Sequence, residues 1–360
     1  MSEHKVISLH LHSVSPIHIA DASAGESHVD PKTGDIRAGK FPDTLSVTRV
    51  ERKPVLVPKE ISGDSDDAVI QFPYIKANNM VGRLRRFAQD AINETLKEDG
   101  ERVSDKTYRG LSCGAVSGTP TGVAPTLSEY RKAREHFYLG LFGGGNGMFA
   151  SGMSFGDLNV KHKLLTATGV LPASIEGAAN VPVAQLTYPI SMVRRDRMLE
   201  LTDFNIEHVV KGGNEAIEQW LDLVVAASKE KEGLEGGEKA DAKGGNLKEG
   251  RRQKLVNFVA YEAVLAGLGY YGKIVLRPDV TDAHVGLLLE SLSRFAQANA
   301  IGGKSAKGFG RFNLTVKEGD NVLLQSNDGE ITQSNGGQYT EALIDELDNL
   351  DVDVLESFFA

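Results

Sequence analysis

The stretch that most constrains this chain is Ile301-Gly302-Gly303-Lys304-Ser305-Ala306-Lys307-Gly308-Phe309-Gly310-Arg311, set between a helix and a strand. Before it, Asp282 reads as the cap of a helix over 283–300, whose apolar stripe is Val285, Leu288, Leu292 and Phe295. After it, a strand covers about 309–316. Glycine at four positions ends the helix and forces a tight, irregular loop. Such a loop brings backbone close to a ligand and presents N–H donors to it. Lys304, Lys307 and Arg311 add positive charge. This is not a nucleotide P-loop, which follows a strand and opens a helix. A plain glycine-rich turn with solvated lysines is the competing reading.

A related arrangement lies near the N-terminus. Ile7, Leu9 and Leu11 alternate with Ser8, His10 and His12 over 5–14, the period of a strand with one buried face. Ser15-Pro16-Ile17-His18-Ile19 follows, then a polar stretch to about Asp67. Gln71 to Ile75 is extended. Asn78 reads as the N-cap of a helix to about Lys97, with Met80, Leu84, Phe87, Ala91 and Ile92 on one face and Arg83 and Arg86 beside it. A helix start attracts phosphate. Lys76, Asn78, Asn79 and Arg83 stand where they can help to grip one, and Gly82 allows close approach. The alternative is an ordinary capped helix with surface arginines.

Between these pieces, Leu127 to Leu141 reads as a helix ending at Phe142-Gly143-Gly144-Gly145-Asn146-Gly147. Strands are expected at 153–160, 184–193 and 270–276, a helix near 216–227, and a low-complexity run over 229–250. Arg-Phe-Ala-Gln occurs in both long helices, at Arg86–Gln89 and Arg294–Gln297. Without the insertions, the order is strand, helix, strands, strand, helix, strand. That is an α+β, ferredoxin-like plan: a four-stranded antiparallel sheet backed by two helices. RNA-recognition domains use the free face of such a sheet.

A net charge of −9 runs against the usual balance of a nucleic-acid binder, so its distribution decides. Residues 341–356 hold seven acids and no base; without them the balance is −2. Residues 291–317 carry five bases and no acid. The single cysteine, Cys113, excludes an internal disulfide and a thiolate zinc cluster. No window approaches the roughly 18 unbroken apolar residues of a membrane helix. A cytoplasmic protein without a cofactor is expected.

The helix start with Gly82-Arg83-Leu84-Arg85, the Gly-Gly-Lys-Ser-x-Lys-Gly-Phe-Gly-Arg stretch and Ser15–Ile19 together resemble the RAMP superfamily of CRISPR proteins. The resemblance covers roughly 5–20, 70–95 and 270–316, and is nearest to the backbone subunits of class 1 effector complexes, type IV above all. It implies a palm over 1–195 and 258–320, with finger or loop insertions at about 21–68 and 101–150. It also implies a thumb insertion over 196–257; the run of acids marks 321–360 as an acidic C-terminal tail.

The implied function is to polymerise along a CRISPR guide RNA and present its bases for pairing. The implied partners are the guide RNA, the target nucleic acid, other copies of the chain, other effector subunits and a helicase. RNA contacts would come from His18, from Lys76, Asn78, Asn79, Arg83 and Arg86, and from Gly302, Gly303, Lys304, Ser305, Lys307 and Arg311. The thumb, with the strand end that leads into it, would add Met192, Arg194, Arg195 and Arg197.

Related type III subunits cleave RNA with a loop aspartate, which leaves Asp30, Asp21 and Asp35 as an alternative catalytic set with a divalent metal. The matching segment is loose, and a binder that is not an enzyme is the main expectation. His10 and His12 share a strand face, but no further zinc ligands accompany them. Residues 341–359 read as an amphipathic helix that either docks on its own subunit or covers a basic surface. A structural protein with glycine-rich loops is the remaining alternative.

Overall fold

The computed structural model describes residues 4–21, 27–29, 36–38, 45–63, 65–114, 125–195, 215 and 256–359. Asp30, Asp35, Arg197, most of the expected thumb and the 229–250 run lie outside them. The strands are β1 (Lys5–Ser13), β2 (Ser27–Val29), β3 (Ile36–Ala38), β4 (Leu45–Thr48), β5 (Arg52–Val57), β6 (Ala68–Ile75), β7 (Met153–Phe155) and β8 (Leu158–Val160). Then come β9 (Thr187–Arg195), β10 (Val256–Val264), β11 (Gly269–Leu276), β12 (Phe312–Glu318), β13 (Asn321–Asn327) and β14 (Glu330–Ser334). The helices are α1 (Lys59–Ser62), α2 (Ala77–Asp99), α3 (Asp105–Cys113), α4 (Leu127–Glu135), α5 (Phe137–Phe142), α6 (Lys163–Ala167), α7 (Asp282–Ala298), α8 (Gly337–Asp348) and α9 (Val352–Ser357).

The chain divides into two compact units. The larger comprises 1–24, 48–188 and 262–360. At its centre β12, β1, β11 and β8 lie side by side and antiparallel. With α2 after β1 and α7 after β11, this is the fourth–first–third–second strand order of the ferredoxin-like plan. Ile7, Leu9 and Leu11 are buried, as the alternation requires, and Leu9 stands opposite Gly272 and Val316. Met80, Leu84, Ala91 and Ile92 of α2, with Val285, Leu288, Leu292 and Phe295 of α7, complete the core. Phe295 stacks on Phe312 at 4.6 Å. Arg294 joins the two helices through Glu94 at 2.6 Å.

The sheet is wider than four strands. It runs β14-β13-β12-β1-β11-β8-β6-β5, with β7 also on β11. The hairpins 52–75 and 321–334 cover the two edges of the central four strands, which would otherwise leave a row of backbone groups unpaired. Strand β5, read above as insertion, and strands β13 and β14, read as tail, are therefore part of the sheet.

Two caps also differ. Lys76, not Asn78, precedes α2, because the Ala77 N–H already finds the Asp157 carboxylate at 3.0 Å. Thr281, not Asp282, caps α7, where Thr281 and His284 form a reciprocal capping box.

Within residues 101–150, read above as a finger or loop insertion, α5 belongs to the core. All six residues of α5 are buried, and a break at His136 separates α5 from α4. The acidic C-terminal segment docks on its own subunit as two helices rather than one. Tyr339, Leu343 and Leu355 are buried, and the acids stay outside. Phe358 packs edge-on against Phe149 at 5.9 Å, and its carbonyl accepts from Asn146 N–H at 2.8 Å. The Phe142–Gly147 loop thus receives this end of the chain. The Phe359 ring lies on α3 where any side chain at Gly110 would collide with it.

The smaller unit comprises 25–47 and 189–261. Its described strands follow the order β3-β2-β4-β10-β9, with β2 antiparallel to both β3 and β4. No helix among the described residues is long and apolar enough to cross a membrane.

Phe359 is fully buried. Phe359→Ala is expected to lower unfolding stability by about 3 kcal/mol in urea titration. A loss below about 1 kcal/mol would mean that the ring is not part of the core.

Candidate nucleic-acid interface

The glycine-rich loop is stitched to the segment that follows β1. Gly303 N–H donates to His18 O at 2.7 Å, and Gly310 N–H to Pro16 O at 2.8 Å. Arg311 N–H donates to Ser15 Oγ at 2.8 Å. At Gly302 φ is +75°, and a Cβ there would strike the His18 carbonyl, so glycine is needed both for conformation and for space. Lys307 N–H donates to Lys304 O and Gly308 N–H to Ser305 O, each at 2.8 Å. Ser305 is exposed in that short turn. Several of the amides expected to face a ligand are thus spent inside the loop, because it turns on itself and on 15–18.

His18 is an interior strut rather than a surface contact. It is buried, and its Nδ1 lies 2.6 Å from the Glu262 carbonyl. Burial lowers its pKa, and the Lys304 charge acts in the same direction.

The Glu262 side chain is the hub behind it. It is 2% exposed and accepts from Arg52 Nη1 at 2.8 Å, Thr187 Oγ1 at 2.7 Å and Val50 N–H at 3.1 Å. Arg52 Nη2 donates to the second oxygen. Burial alone would raise the Glu262 pKa; these donors, Arg52 first, outweigh it and hold the carboxyl below its ordinary value.

Above this frame, the loop and the start of α2 meet. A groove of about 330 Å³ is lined by Ile19, Asn78, Asn79, Met80, Gly82, Arg83, Arg86, Ile301 and Gly302. Ile19, Met80 and Ile301 are buried apolar lining. Arg83 is half-buried, its guanidinium 5.8 Å from the centre of the Phe87 ring, and its Nε has no hydrogen-bond partner among the described residues. Burial, then the Arg86 charge, lowers its pKa, yet arginine remains a cation. Arg86, Asn78 and Asn79 reach the surface. Nothing lies within 4 Å of a Cβ built on Gly82. Its absent side chain therefore leaves room in the groove rather than serving a packing contact.

Other expected contacts are already engaged. Lys76 Nζ sits 2.5 Å from the buried Glu51 carboxylate, which raises its pKa. Arg311 holds Asp328 with both arms of its guanidinium, Nε at 2.9 Å. Asp157 occupies the first amide of α2, so that helix end already has its anion. Met192, Arg194 and Arg195 fall in β9, but their side chains lie outside the described residues. Asp21 lies where the chain crosses Arg49, with its N–H on the Arg49 carbonyl at 2.9 Å.

On the central sheet, His10 Nδ1 meets Lys161 Nζ at 3.3 Å, and its ring stands edge-on to Tyr271. Burial, then Lys161 and Lys317, brings the His10 pKa to about 4.

Glu51, Asp157, Glu262 and Asp328 were not legible as site residues. Each acts across a stretch of sequence, so local spacing carries no sign of the pairing.

The fold and groove define a ferredoxin-like α+β palm whose cationic cleft joins the first long helix to a C-terminal glycine-rich loop. A solved structure described as a Type IV-B CRISPR complex aligns with 88% of this chain and 92% of its own, at 16% identity and a TM-score of 0.45. No family model matches the chain, and no curated protein matches it.

Glu262→Gln leaves Arg52 without its counter-charge and is expected to cost about 3 kcal/mol at neutral pH. Because the folded pKa is depressed, this stabilisation exists above the ordinary value of 4.5 and fades as pH falls through the lower folded value. The gap between variant and wild type in urea titrations should therefore close on acidification. A gap that is the same at every pH would rule out the ionised hub.

Proposed function

We propose that this chain is an RNA-binding backbone subunit of a class 1 CRISPR effector complex, of the type IV kind. It acts by holding a guide strand rather than by cutting RNA. The observation that carries this reading is the groove itself. The two motifs that resemble the RAMP superfamily stand far apart in sequence, and Gly302 of one and Arg83 of the other line the same cleft. The cleft offers two arginines and a narrow apolar wall to a chain of phosphates, and such contacts position a nucleic acid without reading its bases. Sequence would then be read by pairing between guide and target. Successive copies on one RNA form an open, head-to-tail assembly whose length the RNA sets. The helicase and the other effector subunits enter as partners on the same reading.

The test uses the full chain freed of nucleic acid. Its affinity for single-stranded RNA should fall steeply with salt. Arg86→Ala, at a surface position, should weaken binding and reduce the log–log salt slope by about 0.7 for each phosphate left without its cation. Particle mass should rise stepwise with RNA length. Salt-independent binding, or no binding at all, would overturn the proposal.

A further inference from the structure

We infer that the groove selects ribose over deoxyribose, with Asn78 and Asn79 as the residues that set this preference. The inference rests on the RNA-binding reading above and adds the class of strand that the site prefers.

The groove lining supplies two cations, Arg83 and Arg86. The neighbouring Lys76 and Arg311 already hold Glu51 and Asp328. An arginine fork binds phosphate, but phosphate is common to RNA and DNA and cannot tell them apart. The other polar side chains lining the groove are two adjacent carboxamides. Both reach the surface, and among the described residues neither has a side-chain hydrogen bond. A phosphate only accepts, so a carboxamide is a poor second to lysine as its partner. A carboxamide both donates and accepts, which matches a hydroxyl. The 2′-hydroxyl is the group of that kind along a nucleic-acid backbone, and it separates RNA from DNA.

Size and polarity agree with this. A volume of about 330 Å³ is at the small end for ligand sites, on the order of one sugar–phosphate unit. Ile19, Met80 and Ile301 give the sugar's C–H face an apolar wall. Among the described residues no aromatic ring lines the groove, so base stacking does not supply the preference.

The experiment compares nucleic-acid-free, full-length chain binding to homouridine RNA and to deoxyuridine DNA of the same length. Wild type is expected to bind the RNA about tenfold more tightly, the yield of one or two net hydrogen bonds. Asn78→Ala/Asn79→Ala should lose that preference by weakening RNA binding alone. Arg86→Gln should weaken both polymers alike and keep their ratio. Equal wild-type affinity for the two polymers overturns this inference and leaves the RNA-binding proposal standing, as does a preference that survives in the double variant. Binding of neither polymer overturns the proposed function, and this inference with it.

Discussion

The site depends on one buried carboxylate. Glu262 gathers Arg52, Thr187 and the Val50 amide around a single side chain, while its own carbonyl lies within hydrogen-bond distance of the His18 ring. The His18 carbonyl in turn fixes Gly303. A charge in such a place is stable only when its hydrogen-bonding capacity is filled. The partners come from separate parts of the chain, so meeting that requirement also fixes their relative positions. The wall of the groove at Ile19, Ile301 and Gly302 is built on this arrangement.

The same economy governs the positive charges. In an acidic chain, a cationic cleft persists only where the chain's own carboxylates do not cancel it. Here Lys76 and Arg311 are matched to Glu51 and Asp328 at the margins, while no carboxylate is among the groove-lining residues that accompany Arg83 and Arg86. Counting lysines and arginines along the sequence therefore overstates the site's charge. Position relative to acids distant in sequence decides which cations act.

Periodic segments were legible in the sequence. β1, α2, β11, α7 and β12 follow their apolar patterns, and the ferredoxin-like order follows from them. The hairpins that widen the sheet were harder to read. Pro54 and Pro73 interrupt β5 and β6, and 321–334 is mostly polar, its buried apolar residues being the adjacent Leu323 and Leu324, which break the alternation. His18 looked like a surface residue because a histidine so close to a proline gives no sign of burial. The groove itself was legible as two motifs. That both would face one groove followed from the resemblance rather than from local spacing, since nothing local encodes the Pro16 and His18 carbonyls that hold the loop in place.

The central position of β1 has a consequence for how the protein is made. β1 leaves the ribosome long before β11 and β12, its two neighbours in the sheet. Until residue 318 has emerged, that apolar strand lacks its full set of partners, and contacts so distant in sequence form slowly. Between those two events the nascent chain carries an apolar strand without its sheet partners. The central sheet, and the wall at Ile301 and Gly302 that lies between its last helix and β12, can close only after β12 has been made.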